Sequence, residues 1–117
     1  MIRLLALLAV LPGMALAQQV VSQPGGELRV LDKVTGEVSD VTIAAGEAKG
    51  LGLLLIQLND CRVPADNPSG DAYAELSVTY ANEDQPVFSG WMIASSPALN
   101  AMDHPRYDVW VMRCSSA

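Results

Sequence analysis

Along residues 72–81, AYAELSVTYA, apolar and polar side chains alternate: Leu76, Val78 and Tyr80 fall on one side, and Glu75, Ser77 and Thr79 on the other. Successive side chains of a strand point to opposite faces, so this pattern predicts a strand with one buried face. The same reading extends along the chain. In ELRVLDKVTGEVSDVTI (27–43), Leu28, Val30 and Asp32 alternate with Arg29 and Leu31, and Thr35-Gly36 separates two β-branched stretches, which predicts a hairpin. AAGEAKG (44–50) reads as a glycine-punctuated connection. LGLLLIQLNDCRV (51–63) is a continuous apolar run of strand length, which suits a strand covered on both faces, although periodicity alone does not separate it from a buried helix. Two further strands are predicted at 87–95 and 107–114.

Between those last strands lies SPALNAMDHPR (96–106), stiffened by Pro97 and Pro105. Ser96 is a good N-cap ahead of a proline at the first helical position, so a short helical turn is expected near residues 96–104. Six or seven strands separated by turn-rich segments predict an all-β fold: a small, single-domain antiparallel sandwich or barrel.

The N-terminus changes the setting in which this domain is read. MIRLLALLAVLPGMALAQQ has one arginine, an apolar run, a Pro-Gly break and small residues at Ala15 and Ala17. That is the pattern of a secretory signal peptide, expected to be cleaved after Ala17, and the run is far short of the ~20 residues a spanning helix needs. The expected organisation is a signal peptide at 1–17, a flexible leader at 18–26 and a β-domain at 27–117, exported to the periplasm without inserting in the membrane after cleavage. In an oxidising compartment the two cysteines, Cys61 and Cys114, read as one disulfide. They are too far apart for a C-x-x-C redox pair and too few for a thiolate metal site.

Charge narrows the partners. The formal net charge is -6, from seven basic and thirteen acidic residues, and the acids are scattered. A nucleic-acid partner needs a basic footprint that this chain lacks, and anionic headgroups are disfavoured for the same reason.

Candidate chemistry concentrates in residues 89–114. Ser95 or Ser96, with His104 and Asp103 or Asp108, supplies the residue types of a serine hydrolase. There is no G-x-S-x-G elbow, however, and Pro97 follows Ser96 where an oxyanion-hole N–H would be needed. One histidine with two loop carboxylates is not a recurring metal shell. Gly46, Gly50 and Gly52 match neither phosphate-binding glycine motif. The reading from the residues is therefore no catalytic residue, no cofactor and no metal. Trp110, Met112 and Cys114 alternate on one strand face and are expected to pack around the disulfide. The loop itself offers a candidate docking surface in Leu99, Met102, His104, Arg106 and Tyr107, because interfaces favour Arg, Met and aromatic side chains. The alternative is that Leu99 and Met102 fold back to cap the open end of the sandwich, which is compatible with docking where His104 and Arg106 point outward.

RVLDKVTG (29–36), IQLNDCR (56–62) and FSGWMIASSPALNAMDHPRYDVWVMRC (88–114) resemble a family of small exported alphaproteobacterial proteins known as domain of unknown function 2155. The resemblance implies neither a catalytic residue nor a cofactor. It implies a protein partner, respiratory NADH:quinone oxidoreductase (complex I), with this chain as an accessory subunit on its periplasmic side. A periplasmic assembly factor or small-ligand carrier is the alternative, marked by an apolar cavity inside the domain.

Overall fold

The computed structural model describes residues 18–115; the segment read as a signal peptide lies outside them. Eight strands form two antiparallel sheets: β1 (Val20–Ser22), β2 (Gly25–Asp32), β3 (Val38–Ala44), β4 (Ala48–Leu51), β5 (Leu54–Pro64), β6 (Tyr73–Tyr80), β7 (Phe88–Ile93) and β8 (Tyr107–Ser115). One sheet has the order β1-β5-β6-β7, with β4 also pairing β5; the other has the order β3-β2-β8. β1 pairs with residues 62–64 of β5 and β4 with residues 54–57, so the two short strands share one side of β5 in tandem.

Alternation accounts for most of the core. Leu54, Ile56 and Leu58 of β5, Ala74, Leu76 and Val78 of β6 and Met92 of β7 face Leu28 and Val30 of β2, Ile43 of β3 and Val109 and Val111 of β8. The result is a filled sandwich. The β2–β3 turn forms where expected: the Asp32 carboxylate accepts hydrogen bonds from the Val34 and Thr35 N–H groups, and Gly36 takes a φ of +77°.

Each strand that carries a cysteine changes phase just before it. In β5, Leu58 pairs with Leu76 and Asp60 with Glu75, leaving Asn59 as an extra residue. In β8, Val111 pairs with Leu28 and Arg113 with Glu27, leaving Met112 extra. Each β-bulge shifts the following side chains to the opposite face. Cys61 therefore joins Leu58 inside, and Cys114 turns inward after Val111. The two form a disulfide with Cα atoms 5.7 Å apart, bridging β5 of one sheet to β8 of the other. Closing a loop of this length is worth about 4 kcal/mol in chain entropy.

Five expectations are corrected. The leader is not loose through 18–26, because Val20–Ser22 is a strand on β5 and Gly25-Gly26 begins β2. The glycine-punctuated connection contains β4, which folds back on β5 through a tight turn with Gly52 at φ +58°. Residues 51–63 are not covered on both faces: Leu53 and Leu55 are about half exposed, because no layer packs on the outside of this sheet. Trp110 and Met112 are only half-buried, since the bulge at Met112 puts Tyr107, Val109 and Val111 in the core instead. No helical turn forms near 96–104. Ser96–Leu99 makes one turn hydrogen bond, from the Leu99 N–H to the Ser96 carbonyl, and the chain then dives inward at Met102.

Candidate functional site

The residues proposed for hydrolysis are held apart in separate structural roles. Ser95 follows the end of β7, where its Oγ donates to Asp71 Oδ2 at 2.6 Å and its N–H to Asp71 Oδ1 at 3.0 Å. The Ala72 N–H donates to the same Oδ1. Burial works against ionisation of Asp71, but these three donors outweigh it and hold its carboxyl below the usual carboxylate range. Asp71 and Ser95 thus tie the entry of β6 to the exit of β7. The Ser96 N–H donates to the Ile93 carbonyl.

His104 is buried and packs against the Tyr80 ring, with centroids 4.5 Å apart. Its Nδ1 accepts the N–H groups of Arg106 and Tyr107 at 3.1 and 3.2 Å. That nitrogen is occupied as an acceptor, and no hydrogen bond joins the ring to Ser95 or Ser96. Asp108 pairs with Lys33 at 3.5 Å instead of orienting the histidine. Among the described residues, no group of three or more His, Cys, Asp or Glu side chains is placed to hold a metal ion.

The five side chains of the candidate docking loop divide sharply. Met102 and Tyr107 are in the core and His104 is buried beside them. The Tyr107 hydroxyl accepts the Leu53 N–H and so ties the β4–β5 turn to the start of β8. Arg106 pairs with Asp32 at 3.1 Å and lies over the Tyr107 ring. The hydrogen bond from Arg106 holds the Asp32 carboxyl below its usual range and raises the guanidinium pKa in turn. Leu99 is 73% exposed and Arg106 is partly exposed in its ion pair, so of the two side chains expected outward only His104 is turned inward. Two prolines and an inward Met102 turn this loop into a plug over the end of the sandwich.

The outer face of the five-stranded sheet is different. Tyr73 and Ile93 pair across β6 and β7, as do Glu75 and Trp91, and Arg62 of β5 stands opposite Tyr73. Arg62 lies over the Trp91 ring at 4.9 Å and pairs with Asp60 at 2.6 Å. The Tyr73 hydroxyl donates to Gln18. Val20, Arg62, Tyr73, Trp91 and Ile93 line a shallow apolar groove of about 300 Å³. A larger groove, about 530 Å³, opens between Pro68–Ala72, Ala94-Ser95 and the end of β8. None of the residues of this apolar face is among the docking candidates expected from the sequence. The signal was the other half of the β6 alternation, where Tyr73 occupies an outward position next to Glu75.

Two antiparallel sheets clamped by the Cys61–Cys114 disulfide define a small all-β sandwich domain. The chain belongs to the bacterial family described as "Uncharacterized protein conserved in bacteria (DUF2155)", whose model matches residues 26–114. It is similar to "Uncharacterized protein RP359" of Rickettsia prowazekii (strain Madrid E), with 32% identity over 92 residues, covering 76% of this chain. The chain spans 59% of that relative's length. No solved structure matches the chain.

Proposed function

We propose that this chain is a non-catalytic interaction domain working in the periplasm, as an accessory subunit on the periplasmic face of respiratory NADH:quinone oxidoreductase. The observation that carries the interaction reading is the outer face of the five-stranded sheet. A solvated sheet face is ordinarily polar, whereas this one presents Tyr73, Trp91, Ile93 and Val20 around Arg62. Trp, Tyr and Arg are the side chains that anchor protein interfaces. The disulfide supports an oxidising compartment. The identity of the partner rests on the family resemblance alone.

The test is isolation of the tagged chain from membranes of its native host in mild detergent, with mass spectrometry of the co-isolated proteins. Subunits of the oxidoreductase are expected in fixed proportion to the tagged chain. Recovery of the enzyme without the chain, and of the chain without the enzyme, overturns the assignment.

A further inference from the structure

The apolar groove on the outer face lies in an anionic setting. Register places Arg62, Tyr73 and Ile93 in one cross-strand row, and Asp60, Glu75 and Trp91 in the next. Among the described residues Arg62 is the one cation lining the groove, and Asp60 pairs with it in place. The Glu75 carboxylate, beside Trp91, has no hydrogen-bond or ion-pair partner among the described residues.

The rest of the described surface has the same imbalance. Arg29, Lys33, Arg62, Arg106 and Arg113 are each ion-paired, and Lys49 donates to the Thr42 carbonyl. Asp66, Glu83, Asp84 and Asp103 have no such cation. This face therefore offers apolar area and a carboxylate without a counter-ion, while every described cation except Lys49 is already ion-paired. A second copy would bring like charges together, and anionic headgroups would be repelled in the same way.

We propose that this face docks a protein partner through an aliphatic side chain bordered by lysine or arginine. The apolar group enters the groove against Trp91 and Tyr73, and the cation meets Glu75. Arg62, stacked on Trp91 and clamped by Asp60, holds the indole ready and so limits the side-chain freedom lost on binding. This assignment rests on the interaction-domain reading above and adds the chemistry of the contact.

The experiment places a photoreactive benzoylphenylalanine at Ser89 of the full-length chain in its native host. Ser89 is exposed, on the same outer face, one cross-strand row from Trp91. Val38, exposed on the other sheet, is the control position. Irradiation is expected to give one protein adduct from position 89 and none from position 38, with lysine or arginine beside an aliphatic residue in the cross-linked peptide. In isolated envelopes, Trp91→Ala is expected to lower the adduct yield at least about tenfold. Glu75→Lys is expected to lower it about tenfold. Raising NaCl from about 0.1 to about 0.5 M is expected to weaken the wild-type adduct more than that of Glu75→Lys. Glu75→Lys must keep its disulfide and melting temperature, which separates lost docking from lost folding.

Absence of any adduct from position 89 removes the observation behind the interaction reading itself. An adduct indifferent to salt and to Glu75→Lys leaves that reading standing and overturns the partner's charge. An adduct between two copies overturns the proposal, as does tight binding of the purified chain to phosphatidylglycerol vesicles.

Discussion

Gly26 lies against the disulfide: a Cβ built on it would sit 3.1 Å from Cys61 Sγ and 3.4 Å from Leu58 Cδ2. Gly26 is also the register partner of Cys114, so the bridge from β8 to β5 passes directly over a residue without a side chain. Cys61 is fully buried and tethered, so it has little room to yield. Gly26→Ala is expected to destabilise the domain by about 1–3 kcal/mol through overpacking, and Gly26→Val by more. Urea unfolding of the oxidised proteins measures both. An alanine variant as stable as wild type would mean that the sheets can separate locally without cost.

Gly52 and Tyr107 form a second close approach. At φ +58°, Gly52 occupies a region that side chains rarely adopt, and an added Cβ would lie 2.6 Å from the Tyr107 hydroxyl oxygen. Gly52→Ala is therefore expected to cost more than the ~1 kcal/mol of backbone strain alone. Tyr107→Phe strips the Leu53 N–H of its acceptor and is expected to cost about 1 kcal/mol. The double variant is expected to lose less than the sum, since removing the hydroxyl makes room for the new methyl. A double-mutant cycle in urea reads the coupling, and strict additivity would deny the contact.

Acid should loosen the fold through three carboxyls. Hydrogen bonds from Arg106 to Asp32 and from Arg29 to Asp40 hold both below the usual carboxylate range. At Asp71, burial is outweighed by Ser95 and Ala72. An aspartate in the unfolded chain titrates near 3.9, about the value of a free side chain, so on acidification the unfolded state takes up protons first. The stabilisation is full above roughly pH 5 and is lost as pH falls through about 4 and below. Asp71→Asn is expected to be less stable at neutral pH and to lose less on acidification. Melting temperatures of the two proteins between pH 7 and pH 2 check both signs, and parallel curves would remove Asp71 from the account.

His104 and Arg106 should behave as parts of the fold. His104→Ala removes the acceptor for two backbone N–H groups and the ring packed on Tyr80. A loss of about 1–3 kcal/mol is expected for the stranded donors. Arg106→Ala should destabilise through Asp32, with a smaller effect at high salt. Thermal unfolding of each variant measures this, and an unchanged melting temperature for His104→Ala would return that side chain to the surface.

Ser95 should be chemically ordinary. Its hydroxyl donates to Asp71, and Nδ1 of His104 accepts from two backbone N–H groups, so neither serves the other. A fluorophosphonate probe is expected to leave Ser95 and Ser96 unlabelled, and Ser95→Ala is expected to cost about 1 kcal/mol in stability. A covalent adduct that disappears in His104→Ala would restore the hydrolase.

The sequence by itself determined the all-β class, the inward faces of β2 and β6, the Thr35-Gly36 turn and the pairing of Cys61 with Cys114. These follow from short-range rules: the two-residue period of a strand, the φ freedom of glycine, and the parity of two cysteines. What only the tertiary structure decided comes from pairing between distant strands. Strict alternation put Trp110 and Met112 inside, but one extra residue opposite β2 reverses the phase, and nothing local to Met112 announces it. The run at 51–63 looked covered on both sides because leucine is equally at home in a core and on a contact face; whether a second layer exists is a property of the other sheet. Loop 96–106 was open to both capping and docking in the sequence; packing against the end of the sandwich buries Met102 and sets His104 on Tyr80, while Leu99 stays exposed. The outer face that remained apolar is assembled from β1, β5, β6 and β7, so Val20, Arg62, Tyr73, Trp91 and Ile93 become neighbours only when the sheet closes.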